Sequence, residues 1–307
     1  MSREQFIHKR FARSSLAVIA QANAIIGEYA AQGFKLTLRQ LYYQFVARDL
    51  IPNTERSYKR LGNIISEARL AGHVDWDAIE DRTRELTANP HWQDPEAIIA
   101  AAASSYRIDK WAEQDFRVEV WIEKEALVGV VERICRSLDV DFFACRGYVS
   151  QSEQWAAGKR FAEYAASGQE VVVLHLGDHD PSGIDMTRDN DVRLALFARE
   201  DVTVRRLALN YDQVEAYGPP PNPAKVSDSR YEGYLLRYGA ESWELDALNP
   251  NVLQDLIREA VLEYRDEDAW QRLREREAAE RRRLREVEDR WGEVVEFLGD
   301  HGGNGSG

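Results

Sequence analysis

Residues 171–183 read Val-Val-Val-Leu-His-Leu-Gly-Asp-His-Asp-Pro-Ser-Gly. An apolar run of strand length with no polar alternation suits a strand covered on both faces. Such strands belong to parallel sheets with helices on either side. The run passes straight into Asp178-His179-Asp180, at the carboxyl end of the strand, where α/β sheets place their ligands. In extended backbone Asp178 and Asp180 project to one side and His179 to the other. Carboxylates that close together repel, and a divalent cation between them relieves the repulsion. Oxygen donors of this kind suit Mg²⁺, with Mn²⁺ as a substitute. The plainer alternative is a pair of solvated loop acids. His175 reads as a strand residue inside the fold, and a zinc site from His175 and His179 is disfavoured.

The same grammar extends on both sides. Val118–Ile122, Val140–Cys145, Val171–Leu176 and Val202–Leu209 are apolar strand-length runs separated by helical segments over about 125–138, 151–167 and after Pro181. Strand-helix alternation predicts a parallel sheet flanked by helices. The first strand ends in Ile122-Glu123-Lys124-Glu125. If that strand neighbours Val171–Leu176, Glu123 joins Asp178 and Asp180 at one sheet edge. Three carboxylates there would hold a metal that acts on phosphodiesters. Glu125 reads as a first-turn helix residue.

The N-terminal part is different in charge and pattern. Apolar residues predict a helix over 2–31, ended by Gly33. Thr37 then caps a helix over 38–49, and Thr54 opens another over about 55–71. Leu61, Ile64, Ile65 and Ala68 share one face of the last, with Arg56, Lys59 and Arg60 off it and Arg69 further along. Val74-Asp75-Trp76 reads as a short extended piece. Helix, tight turn, helix with a basic face and a short wing form the layout of a winged helix-turn-helix. The chain as a whole carries 40 Lys+Arg against 53 Asp+Glu, a formal charge of −13. Residues 1–73 hold 11 against 5, a balance of +6, and the remainder 29 against 48, a balance of −19. A basic module on an acidic chain can still face a phosphate backbone.

The 307 residues divide as 1–86, the helical DNA-binding domain; 87–115, a connector; 116–264, the α/β domain with a C-terminal elaboration; and 265–307, a charged, solvated helix with a flexible GGNGSG tail. The fold class is α/β with a mainly helical N-terminal winged-helix domain. No apolar run approaches the roughly 20 residues of a membrane span. Charges occupy the place of a signal peptide's apolar stretch. Cys135 and Cys145 read as buried thiols in a reducing compartment, so a cytoplasmic protein without a membrane partner is expected.

The pairing of a Glu at the end of the first strand with Asp-x-Asp at the end of a later one resembles the toprim domain of topoisomerases, primases and related nucleases. Val120–Leu127 (VWIEKEAL) and Gly177–Ile184 (GDHDPSGI) look like the branch found in the A subunit of topoisomerase VI and its meiotic double-strand-break relatives. Thr37-Leu38-Arg39-Gln40-Leu41-Tyr42-Tyr43 is similar to the family's tyrosine motif, which lies in a winged-helix domain before the toprim domain. Glu244–Leu248 (ELDAL) is similar to a late segment of that subunit. The resemblance covers about residues 15–260. Gln40 departs from it, because the family usually has an acid there.

The resemblance implies a type IIB DNA topoisomerase A-like chain that cleaves double-stranded DNA and keeps the end as a phosphotyrosyl ester. It maps the nucleophile to Tyr43 and the metal ligands to Glu123, Asp178 and Asp180. It also implies a homodimer in which Tyr43 of one protomer meets the acids of its partner. A phenol with a pKa of about 10 needs a cation or base to react, and Arg39, four residues earlier on the same helix face, could stabilise phosphate or phenolate. Without the resemblance, a core aromatic is the preferred reading of Tyr43, and it stays the reading of Tyr42. No glycine-rich phosphate loop is present, so strand passage would need a separate ATPase subunit of the B type. The alternatives are a toprim-type nuclease that hydrolyses DNA with metal-activated water, and a DNA-binding regulator whose toprim site is inactive. A phosphatase using Asp178 as nucleophile gains nothing from the basic N-terminal module.

Overall fold

The computed structural model describes residues 3–79, 89 and 91–302. The chain divides into two compact units, Met1–Arg84 with Arg117–Tyr264, and Glu85–Phe116 with Arg265–Gly307.

The first unit contains a four-stranded parallel sheet, as the strand-helix alternation predicts. Its strands are β1 (Phe116–Ile122), β2 (Asp141–Ala144), β3 (Glu170–Leu176) and β4 (Val202–Ala208), in the order β2-β1-β3-β4. The last six residues of β3 are buried, which is why the sequence there lacks polar alternation. Helices α6 (Gln151–Ala166) and α7 (Pro181–Ala198) pack together on the sheet. Trp121, Phe161, Val171, Val173, Leu194 and Ala198 form the core between them. Helix α5 (Val128–Leu138) packs against α10 (Pro250–Leu262), which follows the short helices α8 (Tyr211–Tyr217) and α9 (Tyr231–Tyr238), and Gln254 Nε2 donates to the Val130 carbonyl at 2.9 Å. Strands β1 and β3 are central neighbours, so Glu123 and Asp178 leave the sheet side by side.

Three further helices of this unit, α1 (Arg13–Ala31), α2 (Leu38–Ala47) and α3 (Glu55–Leu70), share a core that includes Ile25, Leu36, Leu41, Phe45, Leu61 and Ile65. Thr37 caps α2 through a capping box in which Gln40 Oε1 accepts the Thr37 N–H at 2.8 Å. Glutamine and glutamate serve this position alike, so Gln40 keeps the helix start that the family's acid would provide. Helix α1 begins at Arg13 rather than near residue 2. The preceding segment lies extended, with the Phe6 and Ile7 amides donating to the Leu70 carbonyl. Phe6 is 63% exposed and offers no core-facing stripe to a helix there.

The expected extended wing is not seen among the described residues. Asp75 instead caps a 3₁₀ turn at Trp76–Ala78, and only single bridges, Gln5 to Ala71 and Leu36 to Ile79, follow the β pattern here. Residues 80–88, onto which a wing would extend, lie outside the described residues.

The second unit is helical. Helix α4 (Pro95–Ser105) packs on α11 (Glu267–Asp289), and α12 (Trp291–Gly302) follows. The charged stretch does form a helix, but one end of it is not solvated: Ala269, Trp270, Leu273 and Glu277 are buried. The Trp111 and Trp270 rings meet edge to face at 6.1 Å, and Lys110 Nζ pairs with Glu277 Oε2 at 2.7 Å. The stretches expected as connector and charged tail thus pack on each other. Residues 303–307, most of the GGNGSG tail, lie outside the described residues. No described helix is long and apolar enough to cross a membrane.

Candidate functional site

The carboxyl ends of β1 and β3 bring Glu123 and Asp178 together. The Asp178 amide donates to Glu123 Oε2 at 2.9 Å, and both side chains are largely withdrawn from water. Burial, with the Asp178 charge adding to it, pushes the Glu123 carboxyl up to about 7. Burial likewise raises Asp178, against the pull of Lys124. Asp178 Oδ1 accepts the Leu245 amide at 2.9 Å, and Asp178 Oδ2 lies 2.5 Å from Lys124 Nζ.

Asp180 does not join them. Its Oδ1 accepts the Gly183 amide at 2.6 Å and the Ser182 hydroxyl at 2.9 Å, making it the N-cap of α7. The local reason is Pro181, which starts the helix and leaves the amides of the next turn to be capped. Among the described residues no three His, Cys, Asp or Glu side chains stand together as a metal-holding group. The expected triad is therefore a buried pair, Glu123 and Asp178, with Asp180 holding a helix end. Mg²⁺ commonly takes one or two carboxylates and keeps its waters. Two crowded, desolvated carboxyls fit that donor chemistry, provided that Lys124 yields.

Sequence reasoning missed four charged residues around this pair. Lys124 Nζ also contacts Glu244 Oε2 at 3.0 Å. Burial opposes its charge, but Asp178, Asp246 and Glu244 outweigh it and hold the ammonium above the usual lysine range. The same Glu244 Oε2 accepts a hydrogen bond from Arg39 Nη2. Arg39 Nε lies 2.8 Å from Asp246 Oδ2, an ion pair without hydrogen-bond alignment, since neither Asp246 oxygen nor Arg39 Nε makes an aligned bond. Burial lifts Asp246 to about 6, with Arg39 and Lys124 holding it back. Glu244 precedes, and Asp246 sits within, a 3₁₀ turn, Leu245–Ala247, that packs on α2. Their segment carried the family likeness, but nothing in its spacing assigned them a partner 205 residues away.

Arg206 is the fourth. It sits in β4, partly buried, and desolvation pushes its guanidinium down to about 10. Its Nη2 donates to the carbonyls of Gly177, Asp178 and Leu209, and its Nη1 to the Gly183 carbonyl and Thr187 Oγ1. It thereby clamps the loop that carries Asp178. An arginine inside a strand-length run of the parallel sheet was the available signal. Gly183 is required for the same closeness, because a Cβ there would stand 2.2 Å from the Asp178 carbonyl oxygen.

His175 is buried, bonded to Thr187 Oγ1 and pushed down to about 3 by burial and Arg206. His179 packs among Tyr211, Tyr234, Tyr238 and Trp243, and burial, aided by Arg206, lowers it to about 4. Its backbone pairs in both directions with Trp243, fastening the acidic loop to the segment that carries Glu244.

Tyr43 lies on α2, 4% exposed. Its ring faces the Arg39 guanidinium at 5.7 Å, and it lines one cleft with Asn222. Burial, then the Asp246 and Glu244 charges, raise the phenol, with Arg39 opposing. Tyr42 is likewise buried, but its hydroxyl donates to Asn53 Oδ1 at 2.8 Å and the Thr54 carbonyl at 3.2 Å. A cleft of about 330 Å³ opens over Arg39, Tyr43, Thr54, Tyr58, Asn222 and Glu244.

Of the basic residues, Arg56, Lys59 and Arg60 are exposed on α3, with Lys59 paired to Glu55 at 2.6 Å. Arg69 is not. It donates to the Trp76 and Ile79 carbonyls at 2.7 and 3.3 Å and stacks over the Trp76 ring at 4.6 Å. It holds the turn after α3 rather than facing solvent.

No protein-family model matches the chain, and no curated protein matches its sequence.

Proposed function

We propose that the chain is a DNA-cleaving protein of the topoisomerase VI A type, with Tyr43 as nucleophile and Glu123 and Asp178 as the acid pair, the tyrosine of one protomer meeting the acids of its partner. The observation that carries this reading is the charge chain from α2 to the sheet edge. Arg39 beside the Tyr43 ring and Lys124 against Asp178 share one oxygen, Glu244 Oε2. This charge chain lies within one protomer, so it would couple the acidic sheet edge to the helix that carries Tyr43 rather than bring Tyr43 to its own acids. The exposed Arg56, Lys59 and Arg60 on α3 give a phosphate backbone a place to lie beside the cleft.

In this reading the Tyr43 oxygen attacks phosphorus and the bond to the departing sugar oxygen breaks. The phenol proton passes to water, and the departing sugar oxygen takes a proton from water and leaves as an alcohol. Arg39 faces the charge that develops on phenolate and phosphate. Glu123 and Asp178 would hold Mg²⁺ or Mn²⁺, which supplies charge stabilisation at the phosphate. Arg206 and the Asp180 cap keep the Asp178 loop in place. The N-terminal helices act as a winged-helix module, the sheet domain as a toprim domain, and the working form is a homodimer that takes a separate ATPase subunit for strand passage.

The burial of Tyr43 and its raised phenol favour a second reading, hydrolytic cleavage in which Tyr43 only packs. One experiment separates the readings. The protein is incubated with supercoiled duplex DNA and Mg²⁺ or Mn²⁺, then denatured. Protein-linked ends support tyrosine chemistry, free ends support hydrolysis, and shifted but intact DNA supports a regulator.

A further inference from the structure

Lys124 is the residue nearest to the Glu123–Asp178 pair to which sequence patterns give no role. Its ammonium bridges two carboxylates, Asp178 Oδ2 at 2.5 Å and Glu244 Oε2 at 3.0 Å. Its side chain is 21% exposed, so a route to water remains open. A divalent ion on Asp178 Oδ2 and an ammonium on the same oxygen are two cations within a few ångströms in a poorly solvated site, where repulsion is strong. One must leave.

Resting on the metal arm of the proposed function, we propose that Lys124 holds the cation position at Asp178 while no divalent ion is bound, and that it sets the affinity of the Glu123–Asp178 pair for one. The lysine has a second place to go. Released from Asp178, it keeps its contact with Glu244, so ion entry hands the ammonium from one carboxylate to the other rather than into water. Glu244 Oε2 already accepts Arg39, and a lysine that turns fully to that oxygen competes with Arg39 there. The groups that face Lys124 are Asp178, Glu244 and Asp246, with Arg39 behind the last two. Ion binding is therefore felt at the residue beside Tyr43. Lys124 is a positioning residue in this account, because it acts through the acid pair.

The test measures Mn²⁺ binding by the full-length protein through loss of the free-ion electron paramagnetic resonance signal. Lys124→Met should bind Mn²⁺ about tenfold tighter than the wild type or better, since no ammonium competes. Asp178→Asn should lose saturable binding. Glu244→Gln, which removes the second acceptor and keeps the lysine, should bind several-fold more weakly. This third variant keeps the test decisive if Lys124→Met fails to fold. Mn²⁺ affinity unchanged or weaker in folded Lys124→Met, affinity unchanged or tighter in Glu244→Gln, or no saturable Mn²⁺ binding by any form would each overturn the proposal. The denaturing assay for protein-linked DNA, run on the wild type in parallel, keeps the two ideas apart. Adducts with unaltered Mn²⁺ affinity in Lys124→Met would refute the role of Lys124 alone. Tighter binding in that variant without adducts in the wild type would refute tyrosine chemistry alone.

Discussion

The backbone amide of Asp178 donates to Glu123 Oε2 at 2.9 Å, so the two acids at the sheet edge are fixed to each other by the strands that present them. The bond also sets the electrostatics. Glu123 cannot turn to water without abandoning that amide, and burial beside a second carboxyl lifts it to about 7.

That shift gives a dependence of stability on pH. The folded Glu123 binds its proton up to about 7, whereas the unfolded group releases it near its ordinary 4.5. Between these values the folded state holds more protons, so stability falls as pH rises from about 4.5 to 7. Asp246, lifted to about 6, acts in the same direction. Glu123→Gln should flatten the fall by roughly 1–3 kcal/mol across that window. Chemical denaturation at pH 4.5, 6 and 7.5 measures it, and equal slopes in both proteins would show that Glu123 is not the group responsible.

Tyr43→Phe removes one hydroxyl at the cleft and keeps the buried ring, so it should change stability by no more than about 1 kcal/mol while abolishing covalent protein–DNA adducts. Tyr42→Phe frees two acceptors, Asn53 Oδ1 and the Thr54 carbonyl. It should cost about 1–2 kcal/mol and leave adducts intact. Mass spectrometry of the digested adduct locates the modified tyrosine. Adducts that persist in Tyr43→Phe would remove Tyr43 from the chemistry.

Alanine at Arg56, Lys59 and Arg60 should weaken DNA binding and lower the slope of log affinity against log salt by about 0.9 for each phosphate no longer neutralised. Arg69→Ala should leave that slope alone and instead lower the melting temperature, because Arg69 bonds the Trp76 and Ile79 carbonyls and stacks on Trp76. Fluorescence anisotropy over a salt series and a thermal melt read the two effects separately. A salt slope that drops in Arg69→Ala would place its guanidinium on DNA.

Arg206→Met should destabilise the first unit by about 3 kcal/mol or more, since it strips a buried charge-assisted donor from four carbonyls and a hydroxyl. Hydrogen exchange should show the amides of 177–183 losing protection first. A melt within about 1 kcal/mol of wild type would mean that the loop holds its shape without the clamp.

Apolar runs and helical periodicity determined the parallel strands and most of the helices, though not the order of the strands. A strand buried on both faces must be apolar throughout, as Val171–Leu176 is, and a helix start needs a cap, as Thr37 and Thr54 provide. The acid positions were equally legible, because an apolar strand that ends in acids announces a sheet edge. The tertiary structure decided which acids act together. Asp180 lies two residues from Asp178, yet the helix that begins at Pro181 claims its carboxylate, and local spacing cannot rank a cap against a ligand. Arg39, Lys124, Glu244 and Asp246 become neighbours only when the α2 helix, the β1 end and the 245–247 turn pack together, and side-chain charge carries no record of partners that far along the chain. The same holds for α11, whose mixed charges read as a solvated surface until α4 and Trp111 cover Trp270 and its neighbours. Sequence patterns report how each segment meets its own surroundings, and the packing of distant segments decides which charges share a site.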